Sequence, residues 1–192
     1  MADSKVKFGL SKVHVAFLEN GTYGTPIAVP GAVHLTTDPD VGDYTFWADN
    51  KKYFVYKKKN GYTGSLEVAL FPEAVRAKML GDYIDSHGNY VEDAEGKACP
   101  FALLAQIEGD DEARRVIWYE TVASTPGSDD STSEENPEVS TESADITIVP
   151  HTFSAITKDI VKMVCHEGDT DYENFFTAVV TPGAPTTTTT GA

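Results

Sequence analysis

Hydrophobic and polar side chains alternate along most of this chain, which is the pattern of half-buried β-strands. In residues 65–71, Leu66, Val68 and Leu70 share one face, and Ser65, Glu67 and Ala69 share the other. Further strands are predicted over residues 12–18, 28–36 with an interruption near 30–31, 44–48, 53–56, 100–108, 114–123, 145–154, 159–165 and 175–180. Many short strands separated by turns predict a mainly β protein, either a sandwich or a barrel.

A single α-helix is predicted directly after the strand at residues 65–71. Pro72 ends that strand and presets the backbone for a first helical turn, and Glu73 suits the positive end of a helix dipole. An apolar stripe at helical spacing then comprises Val75, Met79, Leu80, Tyr83 and Ile84. The pattern predicts a helix over residues 72–85 that flanks the sheet and buries this stripe.

The remaining segments read as connectors and tails around one domain over residues 12–181. Residues 37–43 predict a loop, 49–52 a hairpin turn, and 57–61 a basic turn. Residues 124–143 are rich in Ser, Thr, Pro, Asp and Glu, and predict a flexible acidic loop that cannot offset its ordering entropy by burial. Residues 1–11 form an N-terminal arm, and residues 182–192 a tail rich in Thr and Pro.

The charge of the chain argues against a nucleic-acid-binding protein. The 192 residues contain 15 basic and 30 acidic side chains, a formal net charge of −15. Most of this excess follows residue 80, because residues 1–80 hold ten basic and eight acidic side chains and residues 81–192 hold five and 22. Gripping phosphates requires a basic patch, so we expect a strongly negative field over part of the surface instead.

Catalytic and metal-binding motifs are weak in this sequence. It has no nucleophile elbow, phosphate loop or dinucleotide fingerprint, so we expect neither an enzyme nor a cofactor. Cys165-His166 has no partner at metal-ligand spacing, and two cysteines do not form a disulfide framework. The acidic runs at residues 38–43 and 169–173 resemble fragments of calcium loops, although turn and cap roles are commoner for such residues.

An aromatic cluster is predicted in the hairpin around residues 49–52. Its members are Tyr44, Phe46, Trp47, Tyr53, Phe54 and Tyr56, and lysines 57–59 follow directly. Aromatic side chains beside lysines can bind single-stranded nucleic acid. We favour packing on the core or on a neighbouring subunit, because the rest of the chain would repel phosphate.

The order of these modules resembles the major tail tube proteins of long-tailed phages with non-contractile tails. The resemblance covers roughly residues 8–180 and depends on no single motif. The stretches that carry it are Phe8-Gly-Leu-Ser-Lys-Val-His-Val-Ala with the later Tyr23-Gly-Thr-Pro, Ala32-Val-His-Leu-Thr-Thr through Thr45-Phe-Trp-Ala-Asp-Asn-Lys-Lys-Tyr-Phe, the strand–Phe71-Pro-Glu–helix module, Arg115-Val-Ile-Trp-Tyr, and Ile146-Thr-Ile-Val-Pro-His-Thr-Phe-Ser-Ala.

The resemblance implies a fold and a structural role. Such proteins are β-sandwiches with one flanking helix that form hexameric rings, and the rings stack into a tube around a tape-measure protein. The resemblance also implies tail terminator and distal tail proteins as partners, DNA that passes through without specific binding, assembly in the host cytoplasm, a location in the virion tail, and no membrane. Candidate contacts between subunits or rings are Asp40, Asp43, Phe46, Trp47, Lys51, Lys52, Arg76 and Lys78.

Two further expectations accompany this interpretation. Part of the acidic excess after residue 81 is expected to line the tube and repel DNA phosphates. Residues 37–61 and 124–143 are expected to become ordered or protected on assembly. The alternative is a soluble β-sandwich module of a phage tail tip that binds calcium or a carbohydrate.

Overall fold

The computed structural model describes residues 6–109, 111–127 and 140–185, and over these residues the protein is mainly β, as the sequence predicts. The elements, in chain order, are β1 (Lys7–Glu19), β2 (Thr22–Tyr23), β3 (Ile27–Ala28), β4 (Ala32–Ala48), β5 (Lys51–Val68), α1 (Glu73–Leu80), β6 (Tyr83–Ile84), β7 (Tyr90–Val91), β8 (Phe101–Gly109), β9 (Arg114–Ala123), β10 (Glu142–Val149), β11 (His151–Phe153), β12 (Lys158–Ile160) and β13 (Lys162–His166). Parts of the predicted N-terminal arm, acidic loop and C-terminal tail lie outside the described residues.

The main sheet is antiparallel, and its strand order is β2-β1-β8-β9-β10-β5-β4. Strand β9 lies at its centre and carries β13 along residues 114–118 and β10 along residues 120–123. The sheet therefore divides at Tyr119, whose amide donates to the carbonyl of Val161 at 3.1 Å. This position explains why both faces of β9 are apolar, since each face packs on a different core.

The sheet curls back on itself through the segment between β3 and β4. Val29 N–H donates to the carbonyl of Val13 at 2.8 Å, and Ala69 N–H donates to that of Gly31 at 2.8 Å, so this segment bridges β1 and β5. The predicted interruption at Pro30-Gly31 is confirmed, because residues 29–31 separate β3 from β4. Gly31 has a φ of 79°, which favours glycine.

Two apolar cores fill the two sides of β9. Val116 and Trp118 face the larger core inside the curled sheet, whereas Ile117 and Tyr119 face a second core. The second core is covered by the C-terminal segment, in which Phe175 is fully buried. The strand predicted at residues 175–180 is wrong, because this segment crosses the sheet as a series of turns.

Helix α1 is shorter than predicted and begins where expected. Val75 and Met79 are buried, as the apolar stripe predicts. The helix ends at Leu80 rather than near residue 85, because Gly81 adopts a left-handed conformation and its N–H donates to the carbonyl of Ala77 at 3.0 Å. The last two members of the predicted stripe consequently lie in β6, exposed to solvent.

Strands β4 and β5 form one long hairpin and replace two predicted connectors. The sequence predicts a loop at residues 37–43 and a turn at residues 57–61, but both pair within the hairpin, with Asp43 opposite Lys57, Asp40 opposite Gly61 and a register shift between Asp40 and Val41. The reversal occurs at Asp49 and Asn50, within the predicted turn. Both residues have positive φ, 52° and 57°, as in the turns that match the twist of antiparallel strands.

A glycine at the base of this hairpin provides a test of the fold. Gly61 has a φ of 145°, and a Cβ atom there would collide with the carbonyl oxygen of Ile148 on β10. We expect Gly61→Ala to lower the free energy of unfolding by about 1–3 kcal/mol, measured by urea denaturation. Gly183→Ala is the matched control, since nothing lies within 4 Å of the added carbon. Equal stability of both variants would contradict the close approach of β5 and β10.

Candidate functional site: an exposed aromatic ribbon

The candidate site is the part of the β4–β5 hairpin that extends beyond the main sheet. The last described pair between β10 and β5 joins Ile148 to Tyr62. From there to the turn, β5 pairs with β4 alone among the described strands. We call residues 41–59 the ribbon. At about 3.4 Å per residue it projects roughly 30 Å from the sheet.

Large apolar side chains cover the ribbon and are half or more exposed. Their exposed fractions are 58% for Tyr44, 60% for Phe46, 59% for Trp47, 66% for Tyr53, 56% for Phe54, 50% for Val55 and 49% for Tyr56. Side chains directly opposite each other in a hairpin share a face. Tyr44 with Tyr56 and Phe46 with Phe54 therefore form one aromatic face.

The ribbon cannot be stabilised by its own contacts alone. Its rings touch only at their margins, with centroids 6.1 Å apart for Tyr44 and Tyr56, and 6.4 Å for Phe46 and Tyr53. An isolated two-stranded hairpin is marginally stable in water. Contiguous exposed apolar surface of this kind marks an interaction site. The ribbon is therefore a surface that another molecule is expected to cover.

The ribbon is also the most basic part of the chain. Residues 51–59 contain five lysines and no acidic residue. Two of these lysines have partners within the ribbon: Lys57 Nζ lies 3.5 Å from a carboxylate oxygen of Asp43, and Lys52 Nζ lies 5.8 Å from the centroid of the Trp47 ring. Both contacts are solvent-exposed, so they leave the positive field of the ribbon largely available to a partner.

Most of the sequence-predicted contact residues lie on the ribbon or at its base. The ribbon carries Asp43, Phe46, Trp47, Lys51 and Lys52. Asp40 lies at its base, beside a cleft of about 620 Å³ between the hairpin and the chain from β12 to β13. The structure thus brings six of the eight predicted residues into one continuous feature.

The other two predicted residues, Arg76 and Lys78, lie on α1 and have partners in their own chain. An Arg76 Nη1 atom is 3.1 Å from Glu142 Oε1, and the guanidinium stacks over the ring of Tyr90 at 5.1 Å. Lys78 Nζ is 3.1 Å from Glu19 Oε2. Reversing either charge would disturb the attachment of α1, so these positions are poor probes of contact between subunits.

The cysteine and acidic motifs singled out in the sequence have structural roles in the described residues. Within residues 6–109, 111–127 and 140–185, no three His, Cys, Asp or Glu side chains are placed to hold a metal ion. An oxygen of Asp169 accepts a hydrogen bond from the backbone N–H of His166 at 2.7 Å, which is a turn role. Burial raises the pKa of Cys165 to about 11, so its thiol is poorly nucleophilic.

The nearest approach to a catalytic pair is His151 and Glu120. His151 Nδ1 lies 2.9 Å from a carboxylate oxygen of Glu120, and the pair borders a cavity of about 490 Å³ beside Tyr23. The Tyr23 hydroxyl donates to the backbone carbonyl of Tyr119 at 2.8 Å, and burial raises its pKa. These contacts tie the β2 turn to β9 and β11, which is a structural arrangement.

Comparison with known proteins adds no assignment. In the described part of the chain, the single α-helix has eight residues and is too short to cross a membrane. No protein-family model and no curated protein sequence matches this chain. The ribbon and the sequence resemblance are therefore the two indications of function.

Proposed function

We propose that this chain is a structural subunit of a phage tail that self-assembles into stacked hexameric rings and so forms the tail tube. The observation that carries the proposal is the ribbon, an exposed aromatic hairpin that needs a partner. The mainly β fold with one flanking helix agrees with the architecture that the sequence resemblance implies. The tape-measure, tail terminator and distal tail proteins would be its partners in the virion.

Self-assembly resolves two physical liabilities of the ribbon. Its strands carry unpaired edges, and pairing or covering such edges removes a route to uncontrolled aggregation. Full burial of each of its aromatic side chains would stabilise the assembly by roughly 1.5–3 kcal/mol. Copies of one chain arranged around a closed ring and along a stack can cover every ribbon in the same way.

The acidic excess supports the same role. A net charge of −15 repeated around each ring and along the stack gives the assembly a strongly negative field. We expect part of it to line the lumen, where it would keep DNA from adhering during ejection, since duplex DNA carries about one negative charge per 1.7 Å.

Negative-stain microscopy and sedimentation velocity of the purified protein test this proposal. We expect rings or tubes, with a sedimentation coefficient that rises with protein concentration. A protein that stays monomeric at all accessible concentrations would contradict self-assembly. Monomer that is stabilised by calcium or a carbohydrate would support the soluble binding module instead.

A further inference from the structure

A second hairpin with exposed apolar side chains is formed by β6 and β7 and was not recognised from the sequence. Tyr83 and Ile84 on β6 are 51% and 43% exposed. The hairpin is held on α1 by the stacking of Arg76 over Tyr90, and the Tyr90 hydroxyl donates to the Asp82 carboxylate. We call residues 82–95 the acidic hairpin, because they contain five acidic residues and no lysine or arginine.

The acidic hairpin is ordered by its own polar contacts. Asp85 Oδ1 accepts hydrogen bonds from the backbone N–H groups of His87 at 2.8 Å and Asn89 at 2.9 Å. An oxygen of Asp93 accepts one from the backbone N–H of Glu95 at 2.9 Å. Two carboxylates, those of Glu92 and Glu95, are exposed and form no salt bridge with any described residue. The hairpin thus presents exposed carboxylates beside Tyr83 on one face and Ile84 on the other.

The ribbon and the acidic hairpin lie at opposite ends of the molecule. They are joined through β5, whose 18 residues begin at the ribbon turn and end at Val68. Val68 pairs with Glu142, and that carboxylate binds Arg76 on the helix that carries the acidic hairpin. At about 3.3 Å per residue, β5 measures roughly 55 Å along its length. The two surfaces of one copy therefore lie at opposite ends of this strand.

We propose that the ribbon of one copy binds the acidic hairpin of the next copy, and that this contact gives the assembly its head-to-tail direction. The inference rests on the proposed function and identifies the two surfaces that meet. The ribbon exposes aromatic side chains and carries five lysines and two aspartates, whereas the acidic hairpin exposes Tyr83 and carries five carboxylates. A head-to-tail contact between successive rings, which no rotation closes, propagates as a stack.

Self-pairing of either surface is disfavoured by charge. Two ribbons brought face to face would place lysines against lysines, and two acidic hairpins would place carboxylates against carboxylates. Like charges across an interface are costly, whereas opposite charges fix the register and speed encounter. When a ribbon binds an acidic hairpin, neither surface is placed against a surface of like charge.

A charge-swap experiment tests the proposal. The ribbon variant carries Lys51→Glu, Lys58→Glu and Lys59→Glu, and the hairpin variant carries Glu92→Lys and Glu95→Lys; none of these side chains has a salt-bridge partner among the described residues. A third protein combines all five changes. Lys158→Glu and Glu173→Lys are single-site controls at other exposed positions. Circular dichroism and thermal unfolding establish that each variant folds.

We expect each of the two variants alone to lose stacking, so that tubes are replaced by single rings or monomers in sedimentation and micrographs. Stacks are expected to return, at least in part, when the two variants are mixed and in the combined protein, because the new glutamates of the ribbon then face the new lysines of the acidic hairpin. Both controls are expected to stack as the wild type does.

Normal stacking by the hairpin variant would overturn the inference while leaving the proposed function intact. Failure of the folded combined protein and of the mixture to stack would also overturn it. Failure of the wild type to assemble at all would instead contradict the proposed function. The set of variants therefore separates the two claims.

Discussion

Replacing Phe46 and Phe54 together by serine is expected to abolish assembly and leave the folded monomer almost unchanged. The two side chains are opposite each other on the ribbon and are 60% and 56% exposed. Surface substitutions of this kind usually change the free energy of unfolding by less than about 0.5 kcal/mol. Covering the part of the two rings that is still exposed would contribute about 2–3.5 kcal/mol, because full burial of one such side chain contributes about 1.5–3 kcal/mol.

That loss corresponds to an association constant roughly 30–400-fold lower, since about 1.4 kcal/mol is a factor of ten. Sedimentation equilibrium over a concentration series would measure it, and urea denaturation would establish that the monomer is intact. Leu70→Ser is the matched control, because Leu70 is 67% exposed but lies outside the ribbon. If the double variant assembled like the wild type, the ribbon would not be the contact surface.

Phe175→Ala is expected to produce the largest loss of monomer stability, about 3–5 kcal/mol. Phe175 is fully buried in the second core, where it packs with Tyr119 and Phe153. The segment that carries it is also fixed by Arg115, which donates to the carbonyl of Tyr172 and stacks over its ring at 3.8 Å. Removing the ring would leave a cavity beneath this segment.

Phe46→Ala is the matched control for that measurement, since it deletes the same ring from an exposed position. Urea denaturation of dilute, unassembled protein should show that Phe175→Ala lowers the free energy of unfolding by about 3–5 kcal/mol. Phe46→Ala should change it by less than about 0.5 kcal/mol. Similar stabilities for the two variants would contradict the placement of the C-terminal segment in the second core.

Alternation of apolar and polar residues was sufficient to predict the central part of the fold. It identified β9 as a strand, the interruption at Pro30-Gly31, and the strand that leads into α1. These elements are defined by burial, and burial is what hydrophobic periodicity reports. The fold class could therefore be predicted from sequence.

Elements held by backbone pairing rather than burial were missed. Residues 37–43 and 57–61 contain Asp, Gly, Asn and Lys, which are depleted in strands, yet they pair along the hairpin because their neighbours fix the register. The end of α1 was misplaced for the opposite reason. Apolar spacing continued through Tyr83 and Ile84, but the left-handed conformation of Gly81 stopped the helix.

The sequence predicts which residues form the candidate site but not how they are arranged or exposed. The clustering of aromatic residues with lysines is visible in the sequence, whereas their exposure depends on where β10 ends beside β5. The acidic hairpin was assigned in part to the helix, so its exposed face could not be anticipated. Arg76 and Lys78 were grouped with the ribbon although their partners lie in their own chain.

Hydrogen exchange of the ribbon in dispersed and assembled protein tests whether the ribbon is the surface that another copy covers. The ribbon has unpaired strand edges and little burial, so its amides should exchange readily in the monomer, and faster than those of β8 and β9. If another copy covers the ribbon, residues 41–59 become strongly protected once the protein assembles, and exchange in β8 and β9 changes little. Assembled rings or tubes in which the ribbon exchanges as fast as in the monomer would contradict it.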